Sequence, residues 1–290
     1  MKQLLEEYKA IFEKYLMQKL TYLNNAEEPV ASGIKYALNG GKRLRPILVM
    51  LGADFMNQDI SVNMDIACGM ECIHNYSLVH DDLPCMYKYD YRHGQLSTHK
   101  KFGEGMGVLI GDGLLNLAFE FMLPLEKRES NYYKAVGYIA RQAGVFGMIG
   151  GQCIDIKDLS LRKSTLEEIE KLNELKTSAL FKASLIGSCI ACGASEKEIA
   201  DLTEYVNCLG QIFQLVDDIL DTTSTMQELG KDIGSDAENN KITYLSLFGY
   251  DKVKAKVFLL ERKAIDAIKG YGDRASKLIE LCEYLSDRRN

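Results

Sequence analysis

Proline is scarce. The 290-residue chain has four (Pro29, Pro46, Pro84 and Pro124), and none follows Pro124. Sandwiches and barrels of many short strands need more turn punctuation than this, so long helices are expected. Basic charge is also in short supply: 35 Lys and Arg stand against 41 Asp and Glu, for a net charge of −6. That excludes a nonspecific nucleic-acid binder, which needs a cationic footprint to displace phosphate counterions. A small anionic ligand stays open, because a few local cations suffice to hold one. No uninterrupted apolar run reaches the ~20 residues of a membrane span. The N-terminal MKQLLEEYKA also lacks the apolar stretch of a signal peptide. With 47% hydrophobic and 26% charged residues, the composition is that of a folded globular protein. At roughly 100–200 residues per domain, the length allows one large domain or two.

The eight cysteines (Cys68, Cys72, Cys85, Cys153, Cys189, Cys192, Cys208 and Cys282) fall mostly within apolar runs and are expected as buried thiols of a cytoplasmic protein. Cys68 and Cys72, and Cys189 and Cys192, have helix-face spacing, but no matching His/Cys pair completes a zinc site. Structural filler is the expected role.

Apolar residues recur every three or four positions, as in Leu4, Leu5, Tyr8, Ile11, Phe12, Tyr15, Leu16 and Leu20, which marks an amphipathic first helix. The same spacing predicts helices over 29–39, 43–57, 61–82, 107–123, 131–150, 166–192, 196–221, 241–248, 251–269 and 273–288. Segments 61–82 and 202–221 are apolar on more than one face, as in helices surrounded by others. These features predict one large all-α domain over residues 1–290 with a buried middle layer. The polar stretches 83–106 and 222–240 each follow an Asp cluster and are expected as loops, where binding segments tend to sit.

The first cluster is Glu71-Cys-Ile-His74-Asn-Tyr76-Ser-Leu-Val-His80-Asp81-Asp82-Leu-Pro84. On a helix, His74, Leu78, Asp81 and Asp82 share a face. Two carboxylates at a helix C-terminus oppose its dipole and demand a compensating cation. In the second cluster, Gln214, Asp217 and Asp221 form a stripe, with Asp218 beside it. An all-oxygen set of carboxylates suits Mg²⁺, which keeps water and ligand phosphate in its shell. A solvated acidic face is the alternative for one cluster; two such clusters in apolar helices favour metal. On the basic side, Gly40-Gly41-Lys42-Arg43-Leu44-Arg45-Pro46 lies at a helix start suited to phosphate, with Lys42 and Arg45 on one face. Lys176-Thr177, Lys231 and Lys241 are further candidates; each taken singly is more often a surface lysine.

Together these residues resemble the short-chain trans-prenyl diphosphate synthases, of the farnesyl and geranylgeranyl diphosphate synthase type. The resemblance rests on GGKRLRP at 40–46, IHxYSLxHDDLP at 73–84, Gly94 with HKKFGE at 99–104, Gly111-Asp112, Gly151-Gln152-Cys-Ile-Asp155, Lys176-Thr177 and FQLVDDILD at 213–221. It continues through Gly230-Lys231, Gly234-Ser-Asp236 and Asn240-Lys241 to the terminal YLSDRRN. It implies an isoprenoid synthase fold, all-α around a central cavity, normally homodimeric. Three Mg²⁺ ions, or fewer here, are expected on Asp81, Asp82, Asp155, Asp217, Asp218 and Asp221. Lys42, Arg45 and His74 would hold isopentenyl diphosphate, while Arg92, Lys176, Lys231 and Lys241 would serve the diphosphate sites. Thr177 and Gln214 would turn oxygen dipoles toward an allylic cation, and Tyr76, five positions before Asp81, would floor the cavity at a C15 product. The implied reaction is head-to-tail condensation of isopentenyl diphosphate with dimethylallyl or geranyl diphosphate to farnesyl diphosphate.

The chain departs from the family's DDxxxxD pattern: the third Asp is Tyr87, the acid two positions on is Tyr89 with Lys88 between them, and the second Arg of the following pair is His93. A neutral phenol is a poor Mg²⁺ ligand. Three readings follow. The first is a working prenyltransferase in which Asp81, Asp82, Asp90 and the second motif hold enough metal. The second is a catalytically impaired homologue or partner subunit that binds diphosphates. The third, a terpene cyclase, is disfavoured by the retained Lys42, Arg45 and His74.

Overall fold

The computed structural model describes residues 1–92, 94–123, 130–161, 166–223 and 244–288, with backbone alone for residues 157–161, 166 and 221–223. The periodic apolar segments form α1 (Lys2–Lys19), α2 (Val30–Ala37), α3 (Leu44–Phe55), α4 (Met64–Asp81), α5 (Thr98–Phe102), α6 (Glu104–Met122), α7 (Ser130–Ala143), α8 (Met148–Leu161) and α9 (Leu166–Asn173). They continue as α10 (Ala179–Ala191), α11 (Glu196–Thr223), α12 (Tyr244–Phe248), α13 (Tyr250–Ile268) and α14 (Ser276–Ser286). The fold is all-α, as the spacing predicts. Among the described residues the one exception is a two-residue antiparallel ribbon, β1 (Tyr91–Arg92) and β2 (Gln95–Leu96).

Three expectations change in detail. The helix expected over 131–150 divides into α7 and α8 at a turn in which the Gly147 N–H donates to the Gly144 carbonyl; glycine is a poor helix former. The expected loop 83–106 contains the ribbon, α5 and the start of α6. The helix expected over 166–192 is broken by a π turn, Glu174–Ser178.

The middle layer is α4, as expected, with α10 in the place expected of segment 202–221. Ile66, Cys68, Met70, Cys72 and Ile73 in α4, and Phe181, Leu185, Ile186 and Cys189 in α10, are fully buried. Helices α3 and α6 flank α4, while α3, α7 and α11 flank α10, so neither central helix needs a polar face. Five thiols are buried as expected, but Cys85 and Cys153 are exposed and Cys192 is half-buried, because they lie at loop or outward positions. Helix α6 has the length and mean hydropathy of a membrane span despite the absence of a long uninterrupted run; 44% of its most apolar window is buried, and it packs on α4.

Ahead of α3, Arg43 adopts a left-handed φ of 56° and inserts its guanidinium into the core. Its Nε donates to Glu13 Oε1 at 2.7 Å, Nη1 to Glu71 Oε1 at 2.6 Å and Nη2 to the Leu38 carbonyl at 2.5 Å. This buried ion pair fixes the start of α3, and with it the positions of Lys42 and Arg45 on either side.

Candidate active site

The π turn is the pivot of the site. Inserting one residue into a helix rotates the side chains beyond it, which is why such turns recur where function needs them. Here it carries Lys176 and Thr177. Two glycines let neighbouring helices approach it: a Cβ on Gly151 of α8 would lie 2.5 Å from the Lys176 backbone nitrogen, and one on Gly210 of α11 would lie 2.2 Å from Ser178 Oγ. The turn is thus held between α8 and α11, which carry the acids.

Lys176 Nζ donates to Asp155 Oδ2 at 2.5 Å and to the Tyr87 hydroxyl at 3.1 Å. Tyr87 donates to Asp155 Oδ2 at 2.6 Å. Gln152 Nε2 donates to Tyr87 at 3.0 Å and to Asp81 Oδ1 at 2.7 Å. On the other side of the same turn, Thr177 Oγ1 donates to Gln214 Oε1 at 3.2 Å, and Gln214 Nε2 donates to Asp218 Oδ1 at 2.8 Å. A line of polar contacts therefore runs from Asp81 through Gln152, Tyr87 and Lys176, and from Thr177 through Gln214 to Asp218, joining both acidic motifs through two adjacent residues.

The remaining carboxylates carry cations. Arg92, in β1, pairs with Asp82 through Nη2 and through Nε, the latter at 3.2 Å from Oδ1. Arg288 pairs with Asp217 and lies 4.9 Å from the Phe213 ring centroid. Asp90 pairs with Lys100 at 3.1 Å instead of joining the acids, because the ribbon carries it outward. Burial pushes the Asp81 carboxyl up to about 6 against the opposing pull of Lys176 and Arg92, with Asp82 and Asp155 adding to the rise. Burial also raises Asp82, while the Arg92 hydrogen bond opposes it. Tyr87 is held well above the ordinary tyrosine range, first by burial and then by the charge of Asp155.

One turn or so before Asp81 on α4, Tyr76 is buried, its hydroxyl without a partner, and its ring meets that of His80 edge-on at 5.8 Å between centroids. Burial, then the Asp81 charge, pushes its phenol up to about 12. Arg45 keeps some surface accessible, but its Nε is sealed without a partner. Its guanidinium lies 5.6 Å from the Phe181 ring centroid. Burial lowers it to about 10, with the charges of Glu71 and Asp217 opposing. Lys42 is exposed and His74 half-buried on α4. Lys231, Lys241 and His93 lie outside the described residues, and of Asp221 only the helical backbone is described.

The spacing of the sequence singled out neither Gln152 nor Arg288 as a site residue. Gln152 lies in the Gly151–Asp155 run and Arg288 in the terminal YLSDRRN run, both of which carry the resemblance without assigning either side chain a role.

Among the described residues, no group of three acids, histidines or cysteines converges on one metal-sized site. The donors come as carboxylate pairs, Asp81 with Asp82 and Asp217 with Asp218. Such pairs fit Mg²⁺, which binds through one or two carboxylates and completes its shell with water and substrate phosphate.

Residues 27–279 match the sequence profile of the family described as Polyprenyl synthetase. The chain belongs to this family. It is 38% identical over 295 residues to geranylgeranyl pyrophosphate synthase 3, chloroplastic, of Arabidopsis thaliana, covering 96% of this chain and 82% of that one. It is 37% identical to the large subunit 1 of a heterodimeric geranylgeranyl pyrophosphate synthase from the same plant, covering 96% and 80%. The fold superposes on the crystal structure of a geranyltransferase from Legionella pneumophila with a TM-score of 0.84 at 32% identity, covering 100% of this chain and 98% of that one. An FPP/GFPP synthase from Zymomonas mobilis gives 0.82 at 30% identity, covering 97% and 99%. The fold is that of the isoprenoid synthases.

Proposed function

We propose that this chain, as a single domain spanning its length, condenses isopentenyl diphosphate with an allylic diphosphate, and that its main product is C15. The observation that carries the reading is the line of contacts joining the two acidic motifs through Lys176 and Thr177. It sets a cation and a hydroxyl side by side between two pairs of carboxylates, as ionisation of an allylic diphosphate requires.

Asp81, Asp82, Asp217 and Asp218 would hold Mg²⁺, which would supply Lewis-acid stabilisation of the departing diphosphate. Lys176 and Arg92 add fixed positive charge at the same leaving group, and because they are already held in place they need no reorganisation as charge develops. Thr177 and Gln214 turn oxygen dipoles toward the allylic cation without being nucleophilic enough to trap it. Lys42, Arg45 and His74 hold the isopentenyl diphosphate, whose double bond attacks the cation; the proton then lost goes to the released diphosphate. Lys231, Lys241 and Asp221 are assigned by resemblance to the diphosphate and metal sites.

Tyr76 supports C15, since a buried aromatic ring one turn or so before Asp81 limits the depth available to the growing chain. The relatives named geranylgeranyl pyrophosphate synthase favour C20 as the second reading. We further propose pairing of two copies through α6, whose Val108 and Leu109 are 42% and 49% exposed.

Incubation of the purified protein with Mg²⁺, isopentenyl diphosphate and dimethylallyl or geranyl diphosphate, with extraction of the dephosphorylated products, tests the reading. Farnesol is expected and geranylgeraniol would select the C20 alternative. Retained diphosphate with no prenyl alcohol identifies an impaired partner subunit, and a cyclic hydrocarbon would overturn the transferase reading.

A further inference from the structure

The Tyr87 oxygen is chemically saturated. A hydroxyl has one proton to donate and two lone pairs to accept with. Here the proton goes to Asp155 Oδ2 at 2.6 Å, and the lone pairs take Lys176 Nζ at 3.1 Å and Gln152 Nε2 at 3.0 Å. No lone pair is left for a metal ion. The ring is held as firmly as the oxygen: Lys176 Nζ lies 4.8 Å from its centroid, and Tyr89 stacks on it at 5.9 Å and 21°. Arg92 in turn covers Tyr89 at 5.6 Å while pairing with Asp82. The two aromatic residues that replace acids thus connect the two cations of this edge, Lys176 and Arg92.

From this geometry we infer that Tyr87 is a positioning residue. It holds Lys176 and Asp155 in register for a diphosphate, and this edge accordingly takes one divalent cation fewer than an aspartate at the same position would allow. A carboxylate at 87 would remove the O–H donated to Asp155 and set two negative groups side by side. Lys176 would then offset only one of the two charges, and an added cation would be needed for the other. With tyrosine, Lys176 alone balances Asp155. The departure from the family pattern therefore removes one negative charge together with the cation it would call for. The inference rests on the diphosphate-binding reading above.

Equilibrium dialysis of the full chain with Mn²⁺ and inorganic pyrophosphate, counting both per chain, tests it. Tyr87→Asp is expected to hold about one more Mn²⁺ than wild type at equal bound pyrophosphate. Tyr87→Phe is expected to hold the wild-type number but to bind pyrophosphate about three- to tenfold more weakly, since the hydroxyl that bridges Lys176, Asp155 and Gln152 is lost. Equal Mn²⁺ counts for wild type and Tyr87→Asp, with pyrophosphate bound to both, would overturn the inference and leave the proposed function standing. Should Tyr87→Asp fail to fold, Tyr87→Phe decides, and unchanged pyrophosphate affinity overturns the positioning role. A wild-type chain that retains no pyrophosphate at any Mn²⁺ concentration overturns the proposed function and the inference with it.

Discussion

Arg43 Nη1 and Glu71 Oε1 lie 2.6 Å apart inside the core, with 1% and 4% of their side chains exposed. The pair joins the start of α3 to the middle of α4. Removing Glu71 leaves the buried guanidinium with Glu13 and the Leu38 carbonyl, and the lost charged hydrogen bond typically costs about 1–3 kcal/mol. Glu71→Leu should therefore lower the unfolding free energy read from a urea titration by that amount. It should also raise KM for isopentenyl diphosphate more than KM for the allylic substrate, because Lys42 and Arg45 flank Arg43.

Tyr76 tests product length separately from stability. Its hydroxyl is buried without a partner, so Tyr76→Phe should be neutral or stabilising by up to about 1 kcal/mol and leave the product spectrum unchanged. Tyr76→Ala should cost about 3 kcal/mol through the cavity it opens and shift extracted products from C15 toward C20.

Arg288 reaches Asp217 from beyond α14. It competes there with any cation that Asp217 serves. Arg288→Ala should lower the Mg²⁺ concentration for half-maximal synthesis by up to about fivefold, the value of a partly exposed ion pair worth about 1 kcal/mol. A magnesium titration of initial rates reads this directly.

Glu198 belongs to a capping box at the start of α11. Ser195 N–H and Oγ donate to Glu198 Oε2 at 2.9 and 2.8 Å, the Glu198 N–H donates to Ser195 Oγ at 3.3 Å, and Arg274 pairs with Oε1 at 2.6 Å. The Ser195 backbone donor, then Arg274, holds the carboxyl down to about 2. The folded value lies below the unfolded one, so the stabilisation is fully present above the ordinary glutamate range near about 4.3. It fades as pH falls from there toward about 2. Glu198→Gln should cost about 1 kcal/mol at neutral pH, and the difference from wild type in urea unfolding should shrink as pH drops through that window.

Helices α1, α4, α6 and α11 could be read from the sequence because their apolar residues recur at the helical period and long helices need little else. The paired acids could be read too: Asp81-Asp82 and Asp217-Asp218 stand beside Lys-containing motifs in apolar surroundings where a solvated face is out of place. The missing acid at 87 was visible, but what tyrosine does there was not. Its partners, Asp155 and Lys176, lie 68 and 89 residues away in sequence, and no local period records such contacts. The ribbon within 83–106 was hidden because two-residue strands are too short to alternate, and it is what carries Asp90 to Lys100 and Arg92 to Asp82.

The sequence by itself determined the all-α class, the burial of α4 and the two acidic motifs, since these depend on local periodicity and on residue chemistry alone. Only the tertiary structure decided which cation meets which acid: Lys176 with Asp155, Arg92 with Asp82, Arg288 with Asp217. The first depends on how closely α8 approaches the π turn at Gly151, the second on the ribbon and the third on where the chain runs beyond α14. Such placements are set by the packing of whole elements and are written in no single segment.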